Sequence, residues 1–210
     1  MRRRILLADD HPIVRQGLRA LLEKEAWTVV AEASDGKEAV ALARQHQPDA
    51  AVLDLAMPVL NGLDAVKAIG QVSPKTSCIV LSVHDEPQYV LEALRAGAKG
   101  YILKSKAAQE LYDALRETQA GNLYLSPSLS KVLVEAYLKK IELPEELLSP
   151  RERSVLQLIA EGHSTKEIAT KLDLTTKTAE SYRARIMEKL EIHNTAGLVR
   201  YAIRRGIIQP

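Results

Sequence analysis

The chain has 210 residues, 46% apolar and 27% charged, with a net charge of only +2. That balance suits an ordinary folded protein, the apolar stretches are too short to span a bilayer, and one cysteine, Cys78, excludes a disulfide framework or a thiolate metal site. The charge is uneven, −1 over residues 1–125, −1 over 126–146 and +4 over 147–210, which hints at a polyanionic partner for the C-terminal segment.

The opening Met-Arg-Arg-Arg is followed by only four apolar residues. No signal peptide is expected there, and a reducing cytoplasm is the expected location. Short apolar runs follow at Ile5–Ala8, Thr28–Ala31, Ala50–Leu55, Cys78–Val83 and Gly100–Leu103. Helical spacing separates them: Val14, Leu18, Leu21 and Leu22; Ala39, Val40 and Ala43; Leu63, Val66 and Ile69; Val90, Leu91 and Leu94; Leu111, Ala114 and Leu115. Turn signals such as Asp35-Gly36, Gln47-Pro48 and Asn61-Gly62 punctuate the alternation. Five strands alternating with five helices predict an α/β domain over 1–123: a doubly wound (βα)5 parallel sheet, covered on both faces.

After Gly121 the alternation stops. Residues 124–146 read as a linker, partly helical through Leu129, Val132, Leu133, Ala136 and Ile141, with a joint at Pro144. From Leu147 to 210 only helical patterns occur. Ser149-Pro150-Arg151-Glu152 and Ser164-Thr-Lys-Glu167 are capping boxes. Thr175 can cap a third helix running to about Leu190, and Asn194 or Thr195 a fourth ending at Gly206. The short Leu172-Asp173-Leu174 link forces a sharp crossing, as in a helix-turn-helix. The second domain is therefore expected to be all-α with four helices.

Chemistry gathers at the strand ends. Asp9 and Asp10 close the first run, Asp54 the third, Ser82 the fourth and Lys104 the fifth. In a parallel sheet these ends share one edge, where ligands bind. Crowded carboxylates repel, and hard oxygens without sulfur or a histidine cluster favour Mg2+. Asp54 could then attack phosphorus and become an aspartyl phosphate, with Lys104 and Ser82 on the phosphoryl oxygens and the Ala56 peptide oxygen completing the metal shell. Each residue also has a plain reading: a solvated loop acid, a helix cap at Asp9-Asp10, a surface lysine. The coincidence of four strand ends favours the pocket. The five histidines show no metal-ligand spacing, Gly36-Lys37 lacks the rest of a phosphate loop, and Cys78 and Trp27 read as packing.

Residues 4–115 resemble a response-regulator receiver domain. The resemblance is carried by Leu7-Ala-Asp9-Asp10-His11, Asp54-Leu-Ala-Met57-Pro58-Val-Leu-Asn-Gly62, Leu81-Ser82-Val-His-Asp and Lys99-Gly-Tyr101-Ile-Leu-Lys104. It implies that Asp54 is the phosphoacceptor, that Asp9 and Asp10 hold Mg2+, that Ser82 and Lys104 read the phosphoryl group, and that Tyr101 is the switch aromatic. Ala56 falls at a variable position, and Asn61 stands where aspartate is common, a change expected to matter little.

Residues 147–208 resemble the LuxR-type helix-turn-helix of the NarL/FixJ class. Leu148-Ser-Pro-Arg-Glu152-Arg, Ile159-Ala-Glu-Gly162, Lys166-Glu-Ile-Ala169, Lys177-Thr-Ala-Glu-Ser181 and Arg183-Ala-Arg-Ile186-Met-Glu-Lys-Leu190 carry this match. On the third helix Ala179, Tyr182, Ile186 and Leu190 share a face that should pack inward. Lys177, Glu180, Ser181 and Ala184 should enter the major groove. Lys177, Arg183, Arg185 and Lys189 can reach phosphates, while Glu180 and Ser181 would read bases; Thr178 completes the expected DNA-binding set. Three positions depart from the family pattern: Asp173 for glycine at a helix end, Ala179 for a core valine, and Gly197 for an acidic residue. Gly197 would weaken the last helix, a candidate dimer face with Leu198, Val199, Ala202 and Ile203.

The combined expectation is a two-component transcriptional regulator, switched at Asp54 by a sensor histidine kinase or a small phosphodonor. Its expected partner is double-stranded DNA, and it should be a homodimer when active, with no membrane involvement. A phosphoesterase using Asp54 is the first alternative, but it would need a general acid where Ala56 stands. A DNA-binding adaptor with an inert receiver is the second, and no pocket group is missing.

Overall fold

The computed structural model describes residues 3–24, 27–138 and 147–208. The N-terminal part alternates β1 (Arg3–Ala8), α1 (Pro12–Leu22), β2 (Trp27–Ala33), α2 (Gly36–His46), β3 (Ala50–Asp54), α3 (Gly62–Val72), β4 (Ser77–Ser82), α4 (Pro87–Ala96), β5 (Gly100–Leu103) and α5 (Ala107–Gln119), with a 3-10 turn at Lys104–Lys106. The sheet is parallel with order β2-β1-β3-β4-β5-β6. Burial on both faces explains why its strands read as continuous apolar runs rather than alternating ones: all five residues of β3 are buried. One face packs Leu6, Leu53, Val80 and Tyr101 under α2, α3 and α4. The other packs Ile5, Val52, Ile79 and Ile102 under α1 and α5. Cys78 is core filler, and burial pushes its thiol up to about 12. Trp27 is 7% exposed in β2, with the Arg3 guanidinium 5.8 Å from its ring centre.

The sheet has one strand more than five. β6 (Tyr124–Leu125) pairs with β5 inside the stretch read as linker. Its two residues are too few to leave a periodicity, and neighbouring β5 supplies the template. α6 (Pro127–Leu138) follows, with Leu129 and Leu133 packed against the core. Ile141 and the Pro144 joint lie outside the described residues.

The C-terminal part is all helical: α7 (Pro150–Ala160), α8 (Thr165–Lys171), α9 (Thr176–Leu190) and α10 (Thr195–Arg204). Both capping boxes form, at Ser149 with Glu152 and at Ser164 with Glu167. Thr175 caps α9 and Asn194 caps α10. Asp173 takes φ 54, the left-handed state that the sharp turn needs and that aspartate tolerates. Gly197 has a packing reason: a Cβ there would lie 2.6 Å from Ile192 Cγ2. No described helix is long and apolar enough to cross a membrane.

Candidate functional site

Strand register builds the pocket. Asp54 pairs with Leu81, one residue before Ser82, and Ser82 pairs with Leu103, one before Lys104. Ala8, just before Asp9, pairs with Leu53. All the strands point the same way, so the four chemical groups meet at one edge. Asp9, Asp10, His11 and Asp54 each offer a ligand atom within 4.8 Å of the others. Asp9, Asp54 and Ser82 are each 1% exposed.

Lys104 Nζ lies 2.8 Å from Asp9 Oδ2 and 2.8 Å from Asp54 Oδ2. The ammonium is close to both oxygens, but neither receives an aligned hydrogen bond. Burial carries the Asp54 carboxyl from 3.8 up to about 6, against the pull of Lys104 and with the push of Asp9 and Asp10. Burial works against the Lys104 charge, yet Asp54 and Asp9 hold its ammonium above the ordinary range. Three carboxylates against one ammonium leave an anionic pocket whose buried oxygens want a further cation. Asp9 Oδ2, Asp10 Oδ1 and Asp54 Oδ2 accept no aligned hydrogen bond and are hard ligands, so the set fits a small divalent ion. Asp10, Ala56, Met57 and Pro58 line a cavity of about 260 Å³.

Asp9 and Asp10 do not cap α1. The N-cap is His11, with no side-chain cap bond. Asp9 Oδ1 instead accepts from the His11 amide at 2.8 Å. His11 itself joins the cluster, its Nδ1 2.7 Å from Asp10 Oδ1. Its only sequence signal is adjacency to Asp10, which a search for metal-ligand spacing among the five histidines does not score.

Beside the pocket, Ser82 Oγ accepts from the His84 amide at 3.0 Å, and the Tyr101 hydroxyl donates to the His84 carbonyl at 2.9 Å. Tyr101 is wholly buried. The His84 ring lies 4.4 Å from the Tyr89 ring. Ser82 is thus linked through one residue to two tyrosines.

In the C-terminal part, Ala179, Tyr182, Ile186 and Leu190 pack into the helical core. Lys177, Glu180, Ser181, Ala184 and Arg185 stand exposed on the outer side of α9. Ser181 Oγ donates back to the Lys177 carbonyl at 3.0 Å, and Thr178 shares a 2.8 Å hydroxyl pair with the Thr175 cap. Two of the expected phosphate-binding cations already have partners. Arg183 donates to Thr195 at 2.7 Å, and Lys189 to the buried Glu152 carboxylate at 2.7 Å.

Family models match both parts. The response regulator receiver domain covers residues 5–116, and the luxR family of bacterial regulatory proteins covers residues 146–202. The chain is a response regulator with a LuxR-type DNA-binding domain. It is 37% identical to the oxygen regulatory protein NreC of Staphylococcus carnosus, over 98% of this chain and 99% of the relative. It is 36% identical to the response regulator UvrY of Escherichia coli, over 97% and 94%. A solved structure of RcsB from Salmonella enterica serovar Typhimurium, bound to a promoter with the phosphomimetic BeF3−, is 31% identical with a TM-score of 0.64, covering 96% of this chain and 98% of that one. The regulator is thus of the NarL/FixJ type that the motifs suggested.

Asn61 makes local contacts in this regulator that its sequence position did not signal. It is 1% exposed and caps α3, accepting from the Asp64 amide. Its side-chain amide also donates to Asp64 Oδ2 at 2.9 Å, which an aspartate could not do. A second group was hidden in the sequence. α7 is buried on nearly every side, polar residues included: Glu152, Arg153, Ser154 and Gln157 all lie inside. A helix buried all round with polar residues on it has two neighbours to face.

Proposed function

We propose that the regulator is switched by phosphorylation of Asp54, with Asp9, Asp10, Asp54 and the Ala56 carbonyl holding Mg2+. The carrying observation is that one buried pocket unites Asp54 with Lys104, Ser82 and two further carboxylates. An Asp54 carboxylate oxygen attacks the donor phosphorus, forming an acyl phosphate as the donor's phosphorus–oxygen or phosphorus–nitrogen bond breaks. Mg2+ would supply charge neutralisation for the phosphoryl oxygens. Lys104 pairs with one of those oxygens, and the Ser82 hydroxyl turns from the His84 amide to donate to another. Loss of that amide contact, with Tyr101 bound to the same residue, is how the change leaves the pocket. The regulator phosphorylates and dephosphorylates only itself; it turns over no external ester.

The donor is a sensor histidine kinase or a small acyl phosphate, in the cytoplasm. The receiver occupies 1–123, the linker 124–146 and the DNA-binding domain 147–210. The phosphorylated form binds double-stranded DNA as a homodimer. α9 enters the major groove with Glu180 and Ser181 on the bases. Lys177, Thr178 and Arg185 contact the backbone, and Arg183 and Lys189 join them once they exchange Thr195 and Glu152 for phosphate. Selection of bound sequences from random DNA, with and without acetyl phosphate, tests this reading. Enrichment of a two-fold symmetric site only with the phosphodonor is expected. Equal enrichment in both arms would mean an inert receiver.

A further inference from the structure

The loop after the phosphoacceptor is held by the other domain. Gln157 of α7 is wholly buried, and both ends of its amide are used. Its Nε2 donates to the Met57 carbonyl at 2.7 Å and to Glu161 Oε1 at 2.8 Å. Its Oε1 accepts from the Asn61 amide at 3.0 Å. Two acceptors on one side and a donor on the other fix which end is which. Glu161 Oε1 accepts from the Val59 amide at 3.2 Å. Val59 sits at φ 68, a state a β-branched residue rarely adopts. Three backbone groups between Met57 and Asn61 are thus satisfied from 96 to 102 residues away.

The same contact borders the pocket. The cavity beside Asp10 and Ala56 is lined on its other side by Ala160, Glu161 and Ile208 of the DNA-binding domain. Any phosphodonor is anionic, and Glu161 sets a carboxylate at that entrance. α3 and α4 hold the docked domain a second time: Tyr89 donates to the Arg204 carbonyl at 3.2 Å, and Arg153 bridges Asp64 of α3 and Glu92 of α4 at 3.5 Å each. Meanwhile the outer side of α9 stays exposed. Docking in this form borders the entrance beside Asp10 and Ala56 rather than the DNA-reading face.

We propose that Gln157 and Glu161 are positioning residues for phosphoryl transfer: by clasping residues 57–61 and screening the entrance, the DNA-binding domain slows phosphorylation of Asp54. This rests on Asp54 being the phosphoacceptor. To the extent that the clasp also disfavours phosphorylated Asp54 at equilibrium, phosphorylation loosens the clasp by the same factor.

The test is the initial rate of labelling of the full chain by acetyl phosphate and Mg2+, at several donor concentrations, for wild type, Gln157→Leu and Glu161→Gln. Gln157→Leu should raise the maximal rate about tenfold, the scale of two neutral hydrogen bonds. Glu161→Gln keeps the acceptor but loses the charge. It should lower the half-saturating donor concentration about threefold and leave the maximal rate as it was, a split that a merely structural role would not produce. An unchanged or slower Gln157→Leu rate, beside a normally labelled wild type, overturns this inference alone. No label on wild type overturns the Asp54 reading and this inference together. If Gln157→Leu fails to fold by circular dichroism, Glu161→Ala decides, since it removes the acceptor to the Val59 amide, and an unchanged maximal rate overturns the clasp.

Discussion

Gly62→Ala should cost the receiver about 3 kcal/mol or more and leave phosphorylation at least tenfold slower. An added Cβ at this position would lie 2.1 Å from the Asp54 carbonyl oxygen and 3.0 Å from Leu55 Cα. Those are backbone atoms of Asp54, the proposed phosphoacceptor, and its neighbour, so no side chain can swing aside to make room. The Gly62 amide also donates to the Leu55 carbonyl at 2.8 Å, closing the loop that begins at Asp54. Relief of the clash must move β3's last residue against β4, and with it the spacing between Asp54 and Lys104. Gly70→Ala is the matched comparison. It lies in the same helix, exposed, with open space at its Cβ, and should be neutral or gain up to about 1 kcal/mol. Urea midpoints and acetyl phosphate labelling of both variants check the pair. Equal behaviour would mean the loop gives way more easily than its packing implies.

Asp54→Asn should stabilise the protein at neutral pH by about 3 kcal/mol while removing its phosphoacceptor. Burial raises the folded-state carboxyl from 3.8 to about 6, and each pH unit of displacement is worth about 1.36 kcal/mol. The folded state therefore binds more protons than the unfolded chain between those values, and stability falls as pH rises through that window. Below about pH 4 both states are protonated and the variant should gain nothing. Above about pH 6 wild type carries the full cost of a buried anion, and asparagine avoids it. Mg2+ should shrink the difference by binding native wild type. Denaturant titrations at pH 4 and pH 7.5, with and without Mg2+, test it; a variant less stable at pH 7.5 would show that Lys104 more than offsets the burial.

The sheet was legible because each parallel strand is buried on both faces and so is written as an unbroken apolar run. The pocket was legible because parallel strands bring their ends to one edge, which turns Asp9, Asp54, Ser82 and Lys104 from scattered letters into neighbours. The helix caps at Ser149, Ser164 and Thr175 were legible because capping is local chemistry. What escaped was either too short or too distant. β6 has two residues and borrows its order from β5. Val59 gave no warning of a positive φ, since β-branched residues are the last expected there. Gln157 carries no signal in the sequence; its partners Met57 and Asn61 lie about a hundred positions away, beyond any periodicity. Asn61 was judged a mild replacement for aspartate because family habit says nothing of the Asp64 carboxylate beside it.

The direct measurement is site mapping of acid-labile label after incubation with acetyl [32P]phosphate and Mg2+, on wild type and on Asp54→Asn. The expected result is label confined to the peptide holding Asp54 and absent from the variant. Label that persists on Asp54→Asn, or that maps elsewhere in wild type, would contradict the assignment on which the switch rests.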